Sequence, residues 1–160
     1  MNYTIRQLNK SDNFALATMI RQVFIEHDAP QQGTVFSDPT TDDLFTLFET
    51  QKSMMWVVEV ESEPLACCGI FPTDALPKDC VELVKFYAAP STRGKGIGLA
   101  LLEKCIETAI EFGYKSMYIE SLPHFAKAVS MYKKAGFKQL NQPLGNSGHN
   151  ACDLWFLKEI

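Results

Sequence analysis

The stretch that most restricts this chain is Pro90-Ser-Thr-Arg93-Gly94-Lys95-Gly96-Ile97-Gly98-Leu99-Ala100-Leu101-Leu102, where three glycines alternate just before a segment of helical periodicity. The residues ahead of it, Val81 to Ala89, are β-branched, aromatic and small apolar types, which predicts a strand. Beyond it, Ile97, Leu101, Leu102, Cys105, Ile106 and Ala109 recur at spacings of three and four, with Glu103, Lys104, Glu107, Thr108 and Glu111 opposite them. That pattern predicts an amphipathic helix, stopped at Gly113. Glycines at a helix start remove side chains where backbone N–H groups have no intrahelical partner and the helix dipole is positive. An anion can approach the main chain there, so the stretch predicts a phosphate cradle.

Two nucleotide-binding templates do not fit. A P-loop needs G-x-x-x-x-G-K-[ST], and a dinucleotide fingerprint needs G-x-G-x-x-G, whereas Leu99 stands where the third glycine belongs. The stretch reads instead as Arg-x-x-Gly-x-Gly at Arg93, Gly96 and Gly98. After a second strand, Ser116 to Ser121, a short amphipathic helix presents Phe125, Ala128, Val129, Tyr132 and Ala135 and closes at Gly136-Phe137. Together, Arg93-x-x-Gly96-x-Gly98 and Ala128-x-x-x-Tyr132-x-x-x-Gly136-Phe137 resemble the paired signatures of the GNAT superfamily of acetyl-CoA-dependent N-acetyltransferases, small single-domain bacterial type. The pair covers about the C-terminal half of the chain.

The remaining chain is compatible with that resemblance. Tyr3 to Leu8 alternates like an edge strand, and Ser11-Asp12 offers N-caps for a helix with Phe14, Leu16, Ile20, Val23 and Phe24 on one side. His27 to Pro39 is loop by its Pro, Gly and Asp content, and a second helix is expected from about Thr41 to Glu49. Met54 to Glu61 and Pro64 to Phe71 read as strands joined at Glu61-Ser-Glu63. Asn141 to Asn150 is loop, and Ala151 to Lys158 a last strand. The order β-α-α-β-β-β-α-β-α-β-β predicts an α/β domain over residues 1–160, a mixed sheet with helices on both faces, as in the GNAT fold.

Composition narrows the partners. With 160 residues and a net charge of −4, the chain has room for one core and lacks the basic face that nucleic acid requires. No segment has the length and apolarity of a membrane span or signal peptide, which places the protein in the cytoplasm. Five cysteines (Cys67, Cys68, Cys80, Cys105 and Cys152) without a C-x-x-C pair suit reduced thiols. His27, His124 and His149 have no paired spacing, so no metal is expected.

The resemblance implies a set of roles. Acetyl-CoA would be the co-substrate, its diphosphate held by Gly94, Lys95, Gly96, Ile97, Gly98 and Leu99 with Arg93 or Lys95 adding charge. Main-chain groups of Phe86, Tyr87 and Ala88 would grip the pantetheine arm and the acetyl carbonyl, where the strand parts from its neighbour. Glu82, eleven residues before Arg93, is the leading general base, with Glu120 or a water chain as alternatives and a salt bridge to Lys85 as the competing structural reading. Tyr132 would protonate the departing thiolate, and competes with a plain core role. His149 lies in a segment, Gly145-Asn-Ser-Gly-His149, placed by the resemblance beside the acceptor. Phe125 stands where many family members carry a pantetheine-binding asparagine, so that contact is not expected here. The expected acceptor is a small primary amine, attacked directly in a ternary complex. Acyl transfer from a longer acyl-CoA, a protein N-terminus as acceptor, and a CoA-binding module without chemistry are the alternatives. Family analogy points to a homodimer.

Overall fold

The computed structural model describes residues 1–160. Its strands are β1 (Thr4–Gln7), β2 (Met54–Val60), β3 (Glu63–Phe71), β4 (Cys80–Ala88), β5 (Ser116–Ser121), β6 (Lys138–Leu140) and β7 (Leu154–Glu159). The helices are α1 (Asn13–Glu26), α2 (Leu44–Leu47), α3 (Ile97–Glu111) and α4 (Ala126–Lys134). One seven-stranded sheet runs β1-β2-β3-β4-β5-β7-β6, with β4 and β5 parallel and every other neighbour antiparallel. The parallel pair needs a crossover, which α3 supplies. The β2–β3 pair needs only Glu61 and Ser62, both at positive φ (51° and 68°), a turn whose twist matches the strands it joins.

Each sheet face has its own apolar layer. Ile97, Leu101, Leu102 and Cys105 of α3 and Tyr132 of α4 pack on Val81, Leu83, Met117 and Ile119. On the opposite face Leu16, Ile20 and Phe24 of α1 and Leu44 of α2 cover Met55, Val57 and Cys67. The mixed sheet with helices on both faces is therefore as the sequence predicts.

Two elements differ from expectation by more than a residue at one end. The second helix is one turn rather than Thr41 to Glu49, because two aspartates break the run. Asp38 accepts from the Thr40 N–H and starts a 3-10 turn at Pro39–Asp42, and Asp43, at φ −138°, accepts from the Thr46 N–H and caps α2 anew. The last strand starts at Leu154 instead of Ala151. The Ala151 N–H is committed to the Gly33 carbonyl at 3.1 Å and the Cys152 N–H to the His149 carbonyl at 3.2 Å.

Two irregularities in β4 shape its C-terminal end. Between the pairs Gly69↔Val84 and Cys67↔Tyr87, β4 advances one residue more than β3, and Lys85 sits at φ 53°. This is a bulge, and its Lys85 carbonyl accepts the Cys67 thiol at 3.2 Å. Pairing of β4 with β5 ends at Leu83↔Ile119, whereas β4 continues to Ala88 and β5 continues to Ser121 against β7. The two parallel strands part there, and a wedge opens between them.

Gly69, beside the bulge, is fixed by packing. An added Cβ would lie 2.6 Å and 2.7 Å from ring atoms of Phe48 and 3.1 Å from the Met54 carbonyl oxygen. Gly69→Ala should destabilise the protein by about 1–3 kcal/mol, read as a lower urea midpoint at unchanged slope.

Candidate functional site

The glycine stretch forms an open row of donors. The Thr92 N–H bonds to the Ala89 carbonyl, the Arg93 N–H to the Pro90 carbonyl, and the next satisfied amide is Ala100, bonded to Gly96. The N–H groups of Gly94 to Leu99 make no hydrogen bond in the protein. Gly94 and Gly96 adopt φ of 73° and 78°, and a Cβ on either would meet nothing within 4 Å. Six consecutive free amides at the start of a fifteen-residue helix fit a diphosphate. A groove lined by Leu99, Lys127, Ser130 and Lys134 adjoins them and adds positive charge.

Arg93 faces elsewhere. Its Nε donates to the Ala88 carbonyl at 3.0 Å, and its guanidinium binds both carboxylate oxygens of Glu26, with Nη2 at 2.9 Å. It fastens the loop to the end of β4 and to α1. Lys95 folds back onto the Ser91 carbonyl at 2.7 Å.

The wedge continues into a cleft of about 60 Å³, room for a few waters. Glu82, Glu120, Phe86, Tyr87, Tyr132 and His149 all line it, so the structure gathers the side chains that the sequence singles out around one space. Glu82 is 4% exposed and accepts from the Thr73 hydroxyl. Burial, reinforced by the nearby Glu120 charge and opposed by the Thr73 bond and Lys85, pushes its pKa up to about 8. The Tyr87 and Tyr132 hydroxyls make no hydrogen bond, yet no sealed side-chain oxygen is left unpartnered, so both reach the cleft. Burial holds both phenols well above the ordinary tyrosine range and so protonated.

Glu120 is more committed than the sequence suggests. It accepts from the Tyr118 hydroxyl at 2.8 Å and from the Ser147 hydroxyl, while the Tyr118 oxygen accepts the Leu144 N–H at 3.1 Å and the Ser147 oxygen the His149 N–H at 3.1 Å. It thereby anchors the 144–149 loop.

Residues that the sequence did not single out complete the site. Lys85, 5% exposed, sends Nζ to Asp38 Oδ2 at 3.3 Å, Thr40 Oγ1 at 3.3 Å and Thr41 Oγ1 at 3.2 Å. Asp38 Oδ2 also meets His149 Nε2 at 2.8 Å. Burial tends to raise the Asp38 pKa, but the His149 bond and the Lys85 charge outweigh it and hold the carboxyl below its ordinary range. Burial lowers the Lys85 pKa despite Asp38. Lys85 therefore pairs with Asp38 and not with Glu82. The one sequence signal was a lysine inside an apolar strand, and nothing marked Asp38 as its partner.

The Acetyltransferase (GNAT) family model matches residues 21–137, which hold the glycine stretch, Glu82, Glu120 and Tyr132. The chain belongs to this family. A relative, the uncharacterized N-acetyltransferase YjgM of Escherichia coli (strain K12), is 34% identical over 157 residues, 98% of this chain and 94% of its own length. Among solved structures, a GNAT-family acetyltransferase from Staphylococcus aureus Mu50 superposes with a TM-score of 0.86 at 18% identity, covering 99% of each chain. YncA of Salmonella typhimurium, solved with its cofactor acetyl-CoA, gives 0.76 at 21% identity, covering 99% of this chain and 94% of its own. At such identities the structural likeness speaks for the GNAT fold. His149 and the loop that carries it lie outside the matched segment.

The raised pKa of Glu82 ties stability to pH in this GNAT protein. The unfolded carboxyl loses its proton near 4.5 and the folded one near 8, so between these values the native state binds more protons and stability falls as pH rises. Melting temperature should therefore decline from pH 5 to pH 8.5, and Glu82→Gln should flatten that decline.

Proposed function

We propose that this acetyltransferase moves the acetyl group of acetyl-CoA to the primary amine of a small-molecule acceptor, by direct attack in a ternary complex. The observation that carries the reading is continuity. Six free amides open α3 just after β4, and the unpaired end of β4 lines one cleft together with the buried carboxyl of Glu82.

Acetyl-CoA, when bound, supplies an activated acetyl thioester. The Gly94 to Leu99 amides hold the diphosphate, and Arg93 keeps that loop in place through Ala88 and Glu26. Main-chain groups of Phe86, Tyr87 and Ala88, beyond the last β5 partner, orient the pantetheine arm and polarise the carbonyl. Glu82 takes the proton of the acceptor ammonium on its carboxylate. A base near pKa 8 is well matched to that task, since an alkyl ammonium near 10.4 would cost about 4–5 kcal/mol to deprotonate unaided at neutral pH. Glu120 lends negative charge at the acceptor end while holding the loop of His149 in position. The Tyr132 hydroxyl, kept protonated and open to the cleft, donates its proton to the departing sulfur.

Coenzyme A release measured over a panel of amines tests the reading. Glu82→Gln should lower kcat/KM at pH 8 by about 100-fold and remove the rising limb centred near pH 8. Acetyl-CoA affinity by calorimetry should stay unchanged. Tyr132→Phe should lower kcat by about tenfold or more with little change in KM for the amine. Binding of acetyl-CoA without release of coenzyme A for any amine would reduce the protein to a binding module.

A further inference from the structure

The walls of the cleft limit what acceptor it can take. Phe24, Tyr87 and Phe125 all line it and pack on one another, with ring centroids 5.3 Å apart for Phe24–Phe125, 5.5 Å for Phe24–Tyr87 and 6.0 Å for Tyr87–Phe125. Phe24 is held by the apolar layer beneath α1, and Tyr87 and Phe125 pack against that layer. Backed by the buried Phe24, the Tyr87 and Phe125 rings form a rigid apolar surface that loses little conformational entropy when a ligand covers it. Val35 and Cys152 extend it.

The basic groups at the cleft already have a partner in Asp38. These basic side chains are Lys85 and His149. All three Lys85 donors can be used by Asp38, Thr40 and Thr41, and His149 Nε2 is on the same Asp38. No lysine or arginine of the cleft is left over for a carboxylate on the acceptor. On the acidic side, Asp38 is spent on Lys85 and His149, which leaves Glu82 and Glu120 together at one end to meet an ammonium. A second ammonium elsewhere in the cleft would lie against rings, with no free carboxylate to replace its water.

We infer that the acceptor is an apolar primary monoamine, an aryl- or branched-alkyl amine whose ammonium meets Glu82 and Glu120 and whose hydrocarbon covers Tyr87 and Phe125. The inference rests on the acetyltransferase reading above and adds the acceptor class. It excludes free amino acids, for want of a free lysine or arginine, and polyamines, for want of a second free anion.

The test compares 2-phenylethylamine, L-phenylalanine, spermidine and ethylamine by coenzyme A release, with acetyl-CoA binding followed separately by calorimetry. L-Phenylalanine differs from 2-phenylethylamine only by its carboxylate, so that pair isolates the missing cation. Expected is a kcat/KM for 2-phenylethylamine above those of L-phenylalanine and spermidine by about tenfold or more. Phe125→Ala should cut kcat/KM for 2-phenylethylamine about tenfold, cut that for ethylamine less than about threefold, and leave acetyl-CoA affinity within about twofold. Phe125→Leu, which keeps a branched hydrocarbon and a filled site, should fall between wild type and Phe125→Ala. Turnover of spermidine or L-phenylalanine equal to or above that of 2-phenylethylamine overturns the acceptor class while leaving the acetyltransferase reading intact, as does an equal loss on both amines in the Phe125 variants. Acetyl-CoA binding with no turnover of any amine overturns both.

Discussion

The parting of β4 from β5 after Leu83 is the constraint on which the rest of the site depends. Parallel strands hydrogen-bonded along their whole length would leave no space between the helical layers. Here the extra residue at Lys85 bends β4, and β5 goes on alone with β7. Holding a lysine at positive φ costs about 1–3 kcal/mol, and the surroundings must over-determine that conformation. They do so through three side-chain acceptors on the ammonium and a thiol on the carbonyl.

The same lysine joins the bulge to the loops above it. Its partner Asp38 starts the 3-10 turn before α2, holds His149 on the tail loop and is kept below its ordinary pKa range by the His149 bond and the Lys85 charge. Glu120 does comparable work from β5, through Tyr118 and Ser147. Two carboxylates thus fix the two loops that roof the cleft, while Glu82, with only the Thr73 hydroxyl, keeps a high pKa. The division follows from partners: a carboxyl surrounded by donors is stabilised as an anion, and one buried with a single donor is not.

Much of this was legible in the chain. Glycine periodicity marks the turn before α3 because few other residues tolerate its positive φ, and Glu82 and Tyr132 stood out by type within apolar patterns. Lys85 was legible only as a charge in the wrong place, and the sequence pairs it most simply with Glu82, three residues away. The true partner lies forty-seven residues off in a loop, and a salt bridge at that separation leaves no periodicity to read. The shortened α2 was missed for a related reason, since Asp43 suits the first turn of one long helix as well as the cap of a short one.

What the sequence determined by itself is the order of the elements, the two apolar faces and the glycine turn before α3, because each is a local matter of period, propensity and backbone freedom. Only the tertiary structure decided where β4 leaves β5, which cation each carboxylate holds and which three rings line the cleft. Those outcomes depend on which distant groups are desolvated together, and the free energy of a buried charge is set by its neighbours in space.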